Sequence, residues 1–122
     1  MDSCAIEEIR KGFVDALLWA HDWEDYPLSQ EASQRIDKLI GKFAKDFPGL
    51  CDRPEDFWTT SHNSAEGTLR EYLGHDLALS LLGTGAGFLD GRYGSLDKFL
   101  AAWCDCRPQI EPYLGDDGKV YF

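Results

Sequence analysis

Positive charge is the scarcest property of this chain. Its 122 residues carry 12 Lys and Arg against 22 Asp and Glu, a formal net charge of −10, and no Lys or Arg falls between Gly12 and Gln34. Affinity for nucleic-acid phosphates comes from counterions released by clustered cations. The linear sequence has no such cluster, which argues against direct DNA or RNA binding. An apolar run of the ~20 residues that crosses a bilayer is also missing. Glu7 and Glu8 stand where a secretion signal would be basic and then apolar. The expectation is a cytoplasmic protein with no membrane partner, whose Cys4, Cys51, Cys104 and Cys106 remain thiols.

Reaction signatures are absent as well. The glycine run Gly83-Thr84-Gly85-Ala86-Gly87 is not followed by the Gly-Lys-Ser or Gly-Lys-Thr of a phosphate loop. Its Gly-x-Gly-x-Gly spacing, after a helical pattern, is not the dinucleotide fingerprint, which follows a strand. Cys104-x-Cys106 is tighter than the usual zinc spacing, and the other cysteines and the three histidines are scattered. His75 and Asp76 are helical neighbours, pointing about 100° apart, and cannot face each other as a catalytic pair. No serine or cysteine sits in a nucleophile context. No catalytic residue, metal or cofactor is therefore assigned, and an enzyme is not expected.

What is present describes one compact domain over residues 1–122, mainly α with about four helices and a small C-terminal antiparallel β-hairpin. Ile6, Ile9, Phe13, Leu17 and Ala20 recur at helical spacing and predict a helix over 3–20, with Ser3 as its cap and Glu7 and Glu8 at its positive end. Ser29 caps a second helix over 30–46 with a stripe of Ala32, Ile36, Leu39, Ile40 and Phe43, stopped by Pro48-Gly49. Residues 53–58 suit one helical turn. Asn63 and Glu66 are spaced as a capping pair for a third helix running to about 82. Gly94-Ser95 opens a fourth, with Leu96, Phe99, Leu100 and Trp103 on one face. Gly115 to Gly118 supplies hairpin turn chemistry between Tyr113-Leu114 and Val120-Tyr121-Phe122. The hairpin leaves an edge that a second copy or a helix must cover, so monomer and homodimer both remain open.

Two segments stand out. In Gly74-His75-Asp76, mid-helix Gly74 costs ~1 kcal/mol relative to alanine and implies close backbone contact, with Trp19 or Trp58 as candidate neighbours. Asp76 is expected to bond the backbone of the glycine turn, and His75 to be partly buried. Gly83, Gly85 and Gly87 permit positive φ and suit a helix C-cap and a turn that folds Phe88 onto the core, with Asp90 just beyond. The second segment, Asp22-Trp23-Glu24-Asp25-Tyr26, has the composition of a protein-binding epitope: aromatic anchors among carboxylates that attract Arg and Lys. Glu31 extends it.

Three blocks in order, Gly12-Phe13-Val14-Asp15-Ala16-Leu17-Leu18-Trp19, then Gly74-His75-Asp76-Leu77 with Gly83 to Asp90, then Tyr113-Leu114-Gly115-Asp116-Asp117-Gly118-Lys119-Val120-Tyr121, resemble small acidic proteins encoded by bacteriophages, prophages and plasmids. The chain departs from that pattern at Ser80-Leu81-Leu82, Thr84 and Leu89, where relatives carry Thr-Arg-Asn, His and Trp. The resemblance implies a mobile-element setting and assigns no chemistry. With the charge it suggests a non-enzymatic inhibitor of a bacterial defence system, of anti-CRISPR type, acting in the host cytoplasm. Asp22, Trp23, Glu24, Asp25, Tyr26 and Glu31 would occupy a basic protein surface of a CRISPR-Cas or other defence nuclease complex. The alternative is a nucleotide-signal sponge in which the glycine turn cradles an anion, with Arg92 and Arg70 supplying charge.

Overall fold

The computed structural model describes residues 3–59, 67–84, 87–88 and 92–122, residue 3 by its backbone only. Five α-helices and one two-stranded sheet lie among them: α1 (Ser3–Trp19), α2 (Gln30–Asp46), α3 (Pro48–Asp52), α4 (Leu69–Leu81), α5 (Asp97–Asp105), β1 (Tyr113–Leu114) and β2 (Val120–Tyr121). Single 3-10 turns cover Pro54–Asp56 and Gly94–Leu96. The expected class, mainly helical with a C-terminal hairpin in a single small domain, is what the chain forms.

α1 and α4 form the most extensive helix pair, and two glycines explain how close they lie. A Cβ on Gly12 would run into the Glu71 carbonyl, and one on Gly74 into the Ile9 carbonyl and Phe13 amide. Gly74 is thus matched to the α1 backbone, not to Trp19 or Trp58 as the sequence suggested. Small residues at a crossing point let two backbones approach, and the flanking side chains then interdigitate. Here Ile9, Phe13, Ala16 and Leu17 of α1 meet Leu73, Leu77 and Ala78 of α4, all fully buried.

Ser29 caps α2, its hydroxyl accepting from the Ala32 amide at 3.1 Å. Ile36, Ile40 and Phe43 enter the core, while Leu39 is only half-buried. Pro48 does not simply end the helical path; it opens α3, consistent with proline at a helix start. Thr68, not Asn63, caps α4 through a 3.1 Å bond to the Glu71 amide; the proposed Asn63–Glu66 pair lies outside the described residues, as does the Ser3 side chain. Glu7 and Glu8 fall beyond the first turn of α1, and Glu8 takes Arg70 at 2.9 Å instead. In α5 the buried line is Leu100, Trp103 and Cys104, which turns Phe99 outward to 67% exposure, against the expected stripe.

The hairpin has the register Tyr113↔Tyr121 and Leu114↔Val120. Its other edge is already occupied within the chain. Leu28 forms a parallel bridge with Val120, the Val120 amide donates to Pro27 at 2.9 Å, and the Ser29 amide donates to Val120 at 2.8 Å. The β2 edge that raised the question of a second copy is therefore covered by the residues leading into α2.

Candidate functional site

The glycine segment is built as a helix terminator. Leu82 closes α4, and Gly83 follows with φ +72°; its amide donates to Ser80 and that of Thr84 to Leu79. This pair of bonds is a Schellman cap, which needs a left-handed residue where Gly83 stands. Gly87, at φ +99°, lies so close to Ser80 Oγ and the Asp76 carbonyl that a Cβ would collide with both. The next amide, of Phe88, donates to Ser80 Oγ at 3.0 Å. The Phe88 ring is fully buried, parallel to Phe43 with centroids 6.0 Å apart and edge-on to Tyr93 at 5.6 Å. Gly85 and Asp90 lie outside the described residues.

Asp76 is buried to 1% exposure and is the anchor of this region. It accepts from Arg92 Nη1 at 2.8 Å and from the Tyr93 hydroxyl at 2.9 Å. Its carboxylate thus holds the chain that follows the glycines; the backbone of the turn to which the sequence assigns it lies partly outside the described residues. Burial first, then the Asp76 charge, pushes the Tyr93 hydroxyl far above the ordinary tyrosine value, so it remains a donor. Thr59 donates its amide (2.9 Å) and hydroxyl (3.1 Å) to the Arg92 carbonyl, a second tie on the same segment. Arg70, the other cation proposed for an anion cradle, donates to Glu8 and to the carbonyls of Cys51 and Asp52.

His75, one residue before this buried anchor, faces outward and is half-buried. Its ring lies 6.2 Å from that of Trp19 and 6.5 Å from that of Tyr72. Two open recesses meet at His75 and Asp15. One, of about 390 Å³, is completed by Leu18, Trp19 and Glu24; the other, of about 220 Å³, by Gly12, Glu71 and Tyr72. Three carboxylates and two large rings therefore surround one imidazole, and Trp19 is 62% exposed. Burial and, secondarily, the Arg92 charge lower the His75 pKa below 6.5, with Asp15 partly opposing. The neutral imidazole is thereby favoured, and Lys11 Nζ, 2.9 Å from Asp15 and 3.7 Å from Glu71, already pairs two of the three carboxylates, which leaves Glu24 without an ion pair among the described residues. The unfolded chain takes up a proton here as the pH falls below 6.5, and the folded protein does so later. This contribution to stability is complete above that value and is lost on acidification. The urea midpoint should drop between about pH 7.5 and pH 5.5, and drop less in His75→Gln; equal drops would remove His75 as the cause.

Only part of the acidic loop reaches this recess. Glu24 does. Asp22, exposed at φ +57°, and Asp25, also exposed, flank it in sequence. Trp23 is half-buried and stacked on His21 with centroids 4.6 Å apart. Tyr26, 40% exposed, lines a separate groove with Arg10 and Lys119, and Glu31 lies on the first turn of α2. Asp15, Glu71 and Tyr72 were not read as site residues from sequence, and the only role given to Trp19 was as a neighbour of Gly74. The signal was there in the i, i+4 pairs Asp15–Trp19 and Glu71–His75, which place each couple on one helix face. Cys104 is buried, Cys106 is exposed, and burial pushes the thiols of Cys51 and Cys104 up to about 12. Among the described residues no group of three or more His, Cys, Asp or Glu is placed to hold a metal, and no helix is long and apolar enough to cross a membrane. No protein-family model, curated protein or solved structure matches the chain.

Proposed function

We propose that the protein is a non-enzymatic binding protein whose acidic, aromatic face occupies a basic surface of its partner. The partner would be a bacterial defence nuclease complex, in keeping with the resemblance to mobile-element proteins. The observation that carries this is the exposed Trp19 set beside Asp15, Glu24 and His75. An exposed indole beside the Glu24 carboxylate, with Asp15 shared with Lys11, suits an Arg or Lys side chain, which can stack on the ring while its charge is met at the rim. The net charge of −10 speeds approach to a basic target and disfavours nucleic acid as a direct ligand.

The nucleotide-sponge reading has less behind it, since Arg70 and Arg92 both serve protein acceptors. The test is competition. Added protein should weaken nucleic-acid binding by a candidate nuclease complex, less so at high salt. Trp19→Ala should cost about tenfold or more in that effect, as anchor truncations do, and Glu24→Lys should also weaken it. If the nucleic-acid affinity of every candidate complex is unchanged by the protein, the proposal fails.

A further inference from the structure

A second site lies away from the acidic face and does not depend on the reading above. Arg35, Lys38 and Lys42 share one face of α2 at spacings of three and four, and Arg107 reaches the same groove from the end of α5. In a chain with only 12 Lys and Arg, four converge here, and among the described residues no Asp or Glu lines the groove. Asp46, outside it, is the carboxylate within ion-pair distance, 3.4 Å from Lys42 and 3.9 Å from Arg107, and it also accepts from the Trp103 indole at 2.7 Å. Lys38 has no ion pair among the described residues.

The floor between these cations is apolar: half-buried Leu39, Ile110 and Phe122, with Leu81 at the far end. Arg35 sits over the Phe122 ring at 5.1 Å and Arg107 over the Trp103 ring at 3.3 Å, with Arg107 Nη1 also donating to the Trp103 carbonyl at 2.8 Å, so an aromatic face positions each guanidinium and Arg107 keeps its other N–H groups for a ligand. The walls are preformed. The Ile110 amide donates to the Leu81 carbonyl at 2.9 Å, Gln109 Nε2 donates to Leu82 at 3.2 Å, and β2, which ends beside Phe122, is paired on both edges. The volume, about 290 Å³, falls just below the ~300–1,000 Å³ typical of small-molecule sites, which suits a small ligand.

We propose that this groove binds a small amphipathic anion, its carboxylate or phosphate held by Arg35, Lys38, Lys42 and Arg107 and its apolar body laid on Leu39, Ile110 and Phe122. Each half of the groove excludes a simpler ligand. The protein's overall negative field opposes an inorganic anion with nothing to bury, and a neutral apolar molecule leaves the cations unused. Guanidinium groups pair carboxylate and phosphate oxygens two at a time, which favours those headgroups.

The experiment titrates the full chain with decanoate below its micelle concentration, by calorimetry and by amide chemical shifts. Acetate supplies the headgroup alone, and decyltrimethylammonium the chain with the opposite charge. Decanoate should bind saturably, with shifts confined to Arg35–Lys42, Arg107–Ile110 and Phe122, and should raise the melting temperature by mass action. Lys38→Glu, an exposed change that leaves the core untouched, should weaken it about fivefold or more, as a reversed charge close to a bound anion does; Lys38→Glu with Lys42→Gln should weaken it further. Equal binding of acetate or of decyltrimethylammonium, shifts located elsewhere, unchanged affinity in the double variant, or no binding of decanoate would each overturn the proposal. So would binding of phosphatidylglycerol vesicles or of an oligonucleotide in the absence of decanoate binding.

Discussion

Gly74→Ala should be among the most damaging single methyl groups that can be added to this protein. The added carbon meets the Ile9 carbonyl and Phe13 amide of α1, and Gly12→Ala meets the Glu71 carbonyl from the other side. A flexible side chain can move aside; a helix backbone cannot without shifting the whole α1–α4 pair and the core residues it carries. Overpacking of a rigid contact costs ~1–3 kcal/mol and sometimes more, so about 3 kcal/mol or more is expected for either substitution. That is a large share of the ~5–15 kcal/mol by which domains are stable, and it lowers the melting temperature by on the order of 10 °C. Gly41→Ala provides the internal control. Gly41 also lies inside a helix, but a Cβ there meets nothing within 4 Å. Relief of the helical glycine penalty should stabilise by ~0.5–1 kcal/mol. Thermal melts of the three variants thus give opposite signs for one chemical change. If Gly74→Ala melts with the wild type, the helices do not cross at backbone contact.

Asp76→Ala should also be severe, for a different reason. It removes the acceptor of the buried Tyr93 hydroxyl and the partner of Arg92. Arg92 is 31% exposed and can recover part of its loss from water, whereas Tyr93 is 1% exposed and cannot. Breaking a buried charged pair costs ~3–5 kcal/mol. With the Arg92 side partly solvated, about 2–4 kcal/mol is expected. Asp76→Asn keeps an acceptor for Tyr93 and should cost less, ~1–2 kcal/mol, as should Tyr93→Phe, which removes one hydrogen bond to a charged group. A double-mutant cycle of Asp76→Ala with Tyr93→Phe should show coupling, because the two changes break the same bond. Additive effects in urea unfolding would mean that Asp76 acts elsewhere.

The sequence was most legible where one local interaction determines the geometry. Ser29 was readable as a cap because its hydroxyl needs only the Ala32 amide three residues on. Gly115 to Gly118 was readable as a turn because the hairpin closes over a handful of residues. The same logic failed at Phe99, since the face of α5 that turns inward depends on Phe43 and Asp46 of α2, which meet Trp103, and not on spacing alone. It failed at Asn63 because α4 begins only at Leu69, where the Thr68 hydroxyl accepts from the Glu71 amide as an Asn side-chain carbonyl would. The acidic loop was visible as composition, but only Glu24 of it reaches the recess with Trp19 and His75.

By itself, then, the sequence determined the helical class, the hairpin, the charge of −10 and the unusual placement of Gly74 and Asp76. These follow from periodicity, turn chemistry and counting, all of which act over a few residues. The tertiary structure alone decided what Gly74 touches, that Asp76 holds Arg92 and Tyr93, and that Pro27–Ser29 covers the edge of β2. It also brought Arg107 to Arg35, Lys38 and Lys42, whose helical spacing the sequence shows but which were not read from it as a cluster. Each of these joins residues far apart in sequence, and such contacts are set by how helices pack, which no local pattern encodes.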